Sequence, residues 1–563
     1  MIIHVNKSKI IMVLRSIITG LNILALAGSI TYLIHPTPYL FFNLYGYVIL
    51  LTLLGNIILA YSGGMYRYLD YCYLLIHIVS MLLIPIMNTL ASSNVQNKTS
   101  QSIFVLILYN AIFLYGAASA GLRIKYDIKS RKSDFDTKTQ ARSGRFRNII
   151  RWIVVLLLCL VLFFGFFLIY IILGKDTNNM IEVFIPEYAI FWGLLMLGVS
   201  ILIVKLMWRN KGSVPDFSPT INKIILAAGI IICAICLVPF AVVPFTIRDA
   251  DSAYREAFGS GYLDDKSIIE QFGFTRSPFS LQNYFFGTRT NDYIIKENVL
   301  YYNGTDGLDA GIKLHFDAYM PLADNGNFQR RNSVLIRIHG GSWTMGDKGL
   351  SNYSETNKHF VNLGYVVFDI QYGLNDQNPS FASSVVPASV KGNFNIDDMV
   401  RHIGIFTTYL ADHADEYGAD LNSVFISGGS AGGQLAVATA LGITSGKYTG
   451  LLDSRLRVRG LIPFYPANSL SPHVGIGGTP DLVNPVALVD ENSPPCLIYH
   501  GTHDGIVDPK YASILRNTYM DNSSAPCALL WMYFASHGSD FYTPGYYNQV
   551  FMYYMERFMS QYK

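Results

Sequence analysis

Seven long apolar runs in the first 245 residues are the strongest constraint on how this chain folds. They lie at about residues 17–34, 39–61, 71–90, 103–120, 152–173, 188–207 and 224–245, and none has a charged residue near its centre. A helix needs about 20 apolar residues to cross the hydrocarbon core of a bilayer. The runs therefore predict an all-α bundle of about seven transmembrane helices over residues 1–248.

The overall composition agrees with a membrane protein. Charged residues make up 14% of the chain, whereas soluble proteins carry about 25%. The net charge of +3 is too small to indicate a nucleic-acid partner. We therefore expect the lipid bilayer as a partner and no nucleic acid.

The distribution of basic residues predicts the orientation of these helices. Ten Lys and Arg residues lie between positions 123 and 151, after the fourth run. Further basic residues precede the first run and follow the sixth: Lys7, Lys9, Arg15, Arg209 and Lys211. Because cytoplasmic loops are enriched in Lys and Arg, seven crossings from a cytoplasmic start place everything after residue 245 outside. We therefore predict a multi-pass integral membrane protein whose C-terminal half is extracytoplasmic, at the cell surface or in a lumen.

A cleaved signal peptide over residues 1–27 is the alternative interpretation of the first run. Ala25-Leu26-Ala27 is an A-x-A site behind a basic start and an apolar stretch. Cleavage would leave six crossings and both ends outside, so the C-terminal half is external in either case. The length of the first run favours the uncleaved version.

The composition becomes that of a soluble domain from about residue 249. We expect an irregular or partly helical extracytoplasmic neck over residues 249–292 and a separate domain over residues 293–563. Strand patterns fall at residues 299–302, 314–319, 334–339, 365–370, 424–427, 460–464, 496–500 and 529–534. Helical patterns fall at residues 354–363, 396–417, 430–441, 509–519 and 546–561. Strands separated by helices predict a mostly parallel eight-stranded sheet with helices on both faces.

The sharpest local signal is Gly428-Gly429-Ser430-Ala431-Gly432, between a predicted strand and a predicted helix. This is the context of a nucleophile elbow, in which glycines flank a serine because a β-carbon would clash in so tight a turn. The serine oxygen then projects above the strand end. The pattern favours Ser430 as a nucleophile over the alternative, a glycine-rich turn without chemistry.

A second glycine-rich motif follows the strand at residues 334–339. It reads His339-Gly340-Gly341-Ser342-Trp343. Glycines at such a position let backbone N–H groups approach a developing oxyanion. Beside an elbow, the motif predicts an oxyanion hole made by the amides of Gly341, Ser342 and Ala431, with Trp343 as a substrate-binding residue. On its own it would be only an ordinary turn.

A serine nucleophile needs a base, and the base needs an orienting acid. With this kind of elbow, the acid and then the histidine follow the serine along the chain. His537 lies just beyond the last predicted strand, and Asp504 follows the strand before it, so we predict these two. The alternatives are His473, His500 and His503 for the base, and Asp508 and Asp540 for the acid. Asp508 precedes Pro509, which is typical of a helix N-cap.

Taken together, these motifs resemble the hormone-sensitive-lipase-like esterases of the α/β-hydrolase superfamily, and most closely the compact feruloyl-esterase-like enzymes. Residues 314–321, 367–372 and 492–496 also match that pattern, so the resemblance covers about residues 295–563. Two features depart from it: Ser342 stands where many relatives have a third glycine, and the connection over residues 466–494 is short. The seven apolar runs are not part of this family pattern.

The resemblance implies an α/β-hydrolase fold and a serine hydrolase that cleaves carboxylic esters through an acyl-enzyme, as an esterase, lipase or deacetylase. The implied catalytic residues are Ser430, Asp504 and His537, the substrate is a small-molecule or lipid ester, and no metal or cofactor is needed. A prolyl-oligopeptidase-type serine peptidase is the first alternative. The second is a transporter or receptor with a hydrolase-like regulatory ectodomain.

Cys496 and Cys527 begin two strands that this fold places side by side. We expect either a disulfide, in an oxidising compartment, or two buried thiols.

Overall fold

The computed structural model describes residues 2–34, 40–62, 67–94, 99–130, 145–175, 177, 179–207, 218–287, 293–322, 332–352, 354–377 and 386–563. The start of the second apolar run, the end of the predicted neck and several predicted cytoplasmic basic residues lie outside this part of the chain. These basic residues are Arg131, Lys132, Lys138, Arg142, Arg209 and Lys211.

The apolar runs form helices as predicted. Within the described residues, seven helical segments are long and apolar enough to cross a membrane. They are α1 (Ile2–Ile34), α2 (Leu40–Ser62), α3 (Arg67–Ser93), α4 (Thr99–Ser130), α5 (Arg145–Leu173), α6 (Ala189–Met207), and α7 (Pro219–Cys236) together with α8 (Val238–Phe258). The last segment is interrupted at Leu237, because Pro239 in the first turn of α8 has no amide hydrogen to continue the ladder.

A short connection joins α5 to α6 and reaches the C-terminal half of the chain. The structure describes residues 174, 175, 177 and 179–188 of it. It contains two 3₁₀ helices, Met180–Phe184 and Pro186–Tyr188. We call it the α5–α6 connection.

Buried polar groups join the helices of the bundle to one another. Asn22 on α1 and Asn56 on α2 exchange amide hydrogen bonds of 2.8 and 2.9 Å. In the first turn of α3, the buried carboxylate of Asp70 accepts from Lys205 Nζ at 2.8 Å and from the guanidinium of Arg123. Such pairing satisfies groups that would be costly to bury alone.

The predicted neck is largely helical. α8 continues through the predicted boundary at residues 248 and 249, and α9 (Gly261–Asp264), α10 (Lys266–Phe272) and α11 (Leu281–Phe286) follow it. α11 packs against α2, α3 and α4 of the bundle, and Phe285 and Phe286 at its end are buried there. The chain therefore folds back onto the bundle before the sheet begins.

The C-terminal half contains the predicted eight-stranded, mostly parallel sheet. Its strands are β1 (Tyr293–Asn303), β2 (Lys313–Pro321), β3 (Ser333–Ile338), β4 (Val366–Ile370), β7 (Asp420–Gly429), β8 (Val458–Phe464), β9 (Cys496–Gly501) and β10 (Cys527–Met532). The order across the sheet is β1-β2-β4-β3-β7-β8-β9-β10, and only the β1–β2 and β2–β4 pairs are antiparallel. Two-residue strands β5 (Leu374–Asn375) and β6 (Lys391–Gly392) pair separately.

Helices cover both faces of the sheet, as predicted. α12 (Ser354–Asn362) and α18 (Tyr546–Tyr562) share one apolar core, and α13 (Ile396–Asp412), α15 (Ala431–Thr444) and α17 (Lys510–Asn522) share the other. Successive residues of β3 alternate between the two: Leu335 packs in the first core and Ile336 in the second. Short helices α14 (Ala414–Tyr417) and α16 (Pro480–Val483) lie in the connections.

The first of these cores extends into the helical bundle. It includes Phe425 on β7, Phe551 on α18 and Phe191 on α6. The bundle therefore covers part of the same side of the sheet as α12 and α18, and the two halves of the chain share apolar packing.

Candidate active site

Ser430 lies in a sharp turn between β7 and α15. Its backbone has φ 57° and ψ −120°, a conformation that non-glycine residues rarely adopt. The turn also needs glycine on either side. A β-carbon on Gly428 would lie 2.3 Å from the carbonyl oxygen of Gly432, and one on Gly432 would lie 2.3 Å from that of Ile338. The spacing of the sequence motif is therefore required by the close approach of α15 and β3.

The structure brings together the three residues predicted to carry the chemistry. His537 Nε2 lies 3.0 Å from Ser430 Oγ, and His537 Nδ1 lies 2.9 Å from Asp504 Oδ2. The three side chains follow β10, β7 and β9, whose carboxyl ends meet at one edge of the parallel sheet. With the Nδ1 proton donated to the carboxylate, Nε2 can accept the serine proton.

Local hydrogen bonds fix the carboxylate of Asp504. Its Oδ1 accepts from the amides of Ile506 and Val507 at 3.0 and 2.8 Å. Burial favours the neutral carboxyl and would raise the pKa of Asp504. The positive charge of His537 and the hydrogen bonds from His500 and His537 outweigh burial, so the pKa of Asp504 is lowered. Burial likewise disfavours the imidazolium of His537, but the charge of Asp504 outweighs it and the pKa of His537 is raised. The pair therefore stabilises an imidazolium beside the serine.

The loop after β3 passes directly beside the serine. A β-carbon on Gly340 would lie 3.3 Å from that of Ser430, and Gly341 has φ 122°. Ser342 has φ 51°, in the left-handed region where glycine is favoured. Within the described residues, the amides of Gly341, Ser342 and Ala431 donate to no protein acceptor. The three predicted oxyanion donors are thus available, and their role stays a prediction.

Trp343 lies away from this site, contrary to the expectation that it binds substrate. Its ring is buried in the second core, and its Nε1 donates to Gln434 Oε1 at 3.0 Å. The left-handed backbone of residues 342 and 343 turns the indole under α15 rather than toward Ser430, so its position does not support substrate contact.

The alternative residues have other positions. Asp508 is exposed and accepts from the amide of Lys510 at the start of α17, close to the predicted capping role. His500 Nε2 contacts the carbonyl of Val507 at 2.9 Å and lies 3.3 Å from Asp504 Oδ2. His473 is exposed, while His503 and Asp540 are buried. None of them contacts the serine hydroxyl within the described residues.

Cys496 and Cys527 lie opposite each other at the start of β9 and β10. Both are buried free thiols.

A cavity of about 440 Å³ opens above Ser430 and His537. One side is formed by the loops of the C-terminal half, including Gly341 and Ser342. The opposite side comes from the end of α3 and from the α5–α6 connection: Thr89, Leu90, Ser93, Met180, Val183 and Phe184. Within the described residues, no group of three or more His, Cys, Asp or Glu side chains is arranged to hold a metal ion.

The sequence patterns did not identify this second wall. Its residues lie at the ends of apolar runs that look like ordinary membrane helices. Glu182 and Glu187, two acidic residues just ahead of the sixth run, were the signal in the sequence. Glu182 lies against the loops that carry Asp504 and His537.

The sheet order and the turn at Ser430 define the C-terminal half as an α/β-hydrolase-type domain. Comparison with known families agrees: residues 316–470 match the BD-FAE family.

Two curated relatives come from Mycobacterium tuberculosis. The chain is 24% identical to the probable carboxylic ester hydrolase LipM over 37% of its own length and 49% of the relative. It is 25% identical to the esterase LipQ over 38% of its own length and 51% of the relative. The chain thus spans about half the length of the curated relatives it matches. Their names agree with the predicted enzyme class, a carboxylic-ester hydrolase.

Two solved structures are also similar to part of this chain. Thermogutta terrifontis esterase 2 is 23% identical and covers 44% of this chain and 85% of its own, with a TM-score of 0.35. A truncated carbohydrate esterase from gut microbiota is 19% identical and covers 48% of this chain and 98% of its own, with a TM-score of 0.36.

Proposed function

We propose that the protein is a membrane-anchored serine hydrolase that cleaves carboxylic esters. The observation that carries the proposal is the continuous contact from Ser430 Oγ to His537 Nε2 at 3.0 Å and from His537 Nδ1 to Asp504 Oδ2 at 2.9 Å. A hydroxyl, an imidazole and a carboxylate in this order form the arrangement that activates a serine for acyl transfer.

The reaction proceeds through an acyl-enzyme. His537 takes the proton of Ser430 as its oxygen attacks the ester carbonyl, and Asp504 stabilises the imidazolium that forms. The amides of Gly341, Ser342 and Ala431 hold the oxyanion of the tetrahedral intermediate. The imidazolium then returns its proton to the leaving alcohol, and the same histidine activates the water that releases the acid. This chemistry needs no metal or cofactor.

The helical half anchors the enzyme in the bilayer. Seven apolar helical segments and the placement of basic residues support a multi-pass protein with its site outside the cytoplasm. In this proposal residues 1–248 form the membrane domain, residues 249–292 the neck and residues 293–563 the hydrolase domain. The substrate is then a small-molecule or lipid ester that reaches the outer side of the membrane.

The test uses the full chain purified in detergent. We expect it to hydrolyse p-nitrophenyl esters and to be labelled covalently by a fluorophosphonate, and we expect Ser430→Ala to lose both. Ser423→Ala is the matched control, because Ser423 is a buried serine of β7, the strand before Ser430, and its hydroxyl donates to Ser333 away from the site. Hydrolysis that persists in Ser430→Ala would refute the proposal.

The same variant separates the alternative functions. A peptidase would cleave peptide amides as well as esters, whereas an esterase would cleave only the esters, and in both cases the activity would depend on Ser430. A transporter or receptor with a regulatory ectodomain would keep its biological activity in Ser430→Ala.

A further inference from the structure

A fully buried carboxylate from the helical half joins the two loops that carry the acid and the base. Glu182 lies in the α5–α6 connection, and its side chain has no exposed surface. Its Oε1 accepts from the amide of Gly505 at 3.0 Å and from the amide of His537 at 3.2 Å. Gly505 is the residue after Asp504. One oxygen atom thus links the backbones of the acid loop and the histidine loop, which are 32 residues apart.

Two further contacts hold Glu182 in this position. Its backbone carbonyl accepts from the hydroxyl of Ser536, next to His537, at 2.8 Å. Its second carboxylate oxygen accepts from the hydroxyl of Thr177 in the same connection. Three of these four hydrogen bonds are therefore made with residues that are adjacent to, or part of, the proposed catalytic group.

We propose that Glu182 is a positioning residue of the active site, supplied by the helical half. It sets the spacing between the loops of Asp504 and His537 and adds a negative charge beside the imidazole. This inference rests on the proposed serine-hydrolase function. The membrane half is then a structural part of the catalytic site as well as an anchor.

The charges around His537 predict the sign of the electrostatic effect. Burial favours the neutral imidazole, and three carboxylates oppose it: Asp504 from the β9 loop, Glu182 from the α5–α6 connection and Asp540 from the histidine's own loop. The hydroxyl of Tyr465 donates to Asp540, and the centroid of its ring lies 4.6 Å from that of the imidazole. Loss of the charge of Glu182 should therefore lower the pKa of His537 and extend activity to lower pH.

Two substitutions in the full chain separate these contributions. Glu182→Gln keeps an oxygen for the two amides but removes the charge. We expect a kcat close to that of the wild type and an acidic limb of the kcat/KM profile shifted down by about 0.5 pH unit. Glu182→Ala removes the acceptor as well and leaves two buried amides unpaired. We expect kcat to fall on the order of tenfold with KM changed by less than about twofold, because the cavity wall itself is retained.

Tyr546→Phe is the matched control for a contact between the halves. It removes the hydrogen bond from α18 to the carbonyl of Pro186 in the same connection without touching either catalytic loop. We expect a lower unfolding temperature but wild-type kcat and pH profile. A Glu182→Gln profile that coincides with the wild type, or a Glu182→Ala kcat within twofold of it, would overturn the proposal. Hydrolysis that survives Ser430→Ala would instead overturn the underlying function.

A separate observation concerns how substrate reaches the cavity. Leu90 and Phe184 are the most exposed large apolar side chains of the cavity lining, at 41% and 42%. Leu90 is also the last member of an exposed apolar stripe on α3. The stripe consists of Leu75, Val79, Leu82, Ile86 and Leu90, whose spacing places them on one helix face. The cavity therefore reaches the surface where a bilayer-facing helix ends.

We infer that the substrate is an ester with a long hydrocarbon chain that enters from the outer leaflet, with its chain along the α3 stripe and its carbonyl at Ser430. A water-soluble ester would have no need of an apolar rim, whereas a hydrocarbon chain moving from lipid to an apolar cavity remains out of water. This inference also rests on the proposed function and specifies its substrate class.

The test compares long and short esters with the full-length protein in vesicles of a dialkyl-ether phosphatidylcholine, a lipid that contains no carboxylic ester. The hydrocarbon chain is placed on the acyl side in 4-methylumbelliferyl palmitate and on the alcohol side in hexadecyl acetate, with 4-methylumbelliferyl acetate and ethyl acetate as short counterparts. We expect the long-to-short ratio of kcat/KM to fall at least tenfold in Leu90→Gln and Phe184→Gln for one of the two chain positions. Ile103→Gln, at a similar distance from the helix end on α4 and also exposed, should keep the wild-type ratio.

Unchanged ratios in both cavity variants, or a wild-type enzyme that prefers the short ester in both pairs, would overturn this inference. Because the short esters are measured in the same series, loss of all Ser430-dependent hydrolysis would be seen separately as a failure of the proposed function.

Discussion

Asp504→Asn is the substitution that tests the proposed mechanism most directly. The asparagine oxygen can still accept from the amides of Ile506 and Val507, so the loop should keep its shape. Its NH₂ group would then face His537 Nδ1, which must become an acceptor. The imidazole proton moves to Nε2, 3.0 Å from Ser430 Oγ, and the histidine can no longer take the serine proton.

The size of the effect distinguishes a wrong tautomer from a simple loss of charge. The wrong tautomer in a triad of this kind lowers kcat by about 10⁴, which is about 5.4 kcal/mol at 1.36 kcal/mol for each tenfold change. The assay is hydrolysis of p-nitrophenyl butyrate by the full chain, with the unfolding temperature as a check on folding.

Asp508→Asn is the matched control, because it changes the alternative acid four residues further along, which is exposed and paired with Lys510. We expect its kcat within twofold of the wild type. A kcat of Asp504→Asn within tenfold of the wild type, or a larger loss in Asp508→Asn, would refute the assignment.

Three other perturbations test the base, the elbow and the helical bundle. Because the pKa of His537 is raised and its neutral form is the base, kcat/KM should rise with pH through a midpoint above about 6.5. A midpoint at or below that value would contradict the pairing of His537 with the charge of Asp504. Gly432→Ala should abolish esterase activity and lower the unfolding temperature, since its β-carbon would lie 2.3 Å from a carbonyl oxygen of β3; an active, stable variant would show that the turn can relax. Asp70→Asn leaves the buried cations of Arg123 and Lys205 without their carboxylate, so we expect the free energy of unfolding to fall by about 3–5 kcal/mol. A lower unfolding temperature in detergent would show this loss, and an unchanged temperature would contradict it.

The parts of the fold that were predictable are those set by local rules. The elbow can be recognised in the sequence because close contacts in the turn and with the neighbouring strand β3 require glycine at positions 428 and 432. The central strands, such as β3, β4 and β9, were readable because they are buried on both faces and are therefore mostly apolar. The same holds for Asp504 and His537, whose positions follow from which strands end at the same edge.

Trp343 shows where such local reasoning fails. A large aromatic side chain next to an oxyanion loop is an obvious candidate for substrate contact, but the direction of its side chain depends on two residues in left-handed backbone, Ser342 and Trp343 itself. The third glycine that many relatives have at the position of Ser342 indicates such a backbone, but it does not give the direction of the side chain that follows. The indole instead finds a hydrogen-bond acceptor, Gln434, inside the core.

The α5–α6 connection was unpredictable for a different reason. The partners of Glu182 in the C-terminal half are more than 300 positions away, and the apolar side chains of the connection continue the pattern of the helix after it. Glu182 and Glu187 depart from that pattern, and an acid at the end of a membrane run is ordinarily explained by its position at the polar boundary. Of the two, Glu182 is the one whose carboxylate accepts from amides of the C-terminal half. Its complete burial against the amides of Gly505 and His537 cannot be explained in that way, because a carboxylate at a membrane boundary would keep its water. The cost of removing that water is acceptable only where fixed donors replace it, and these donors belong to the two loops that hold the acid and the base.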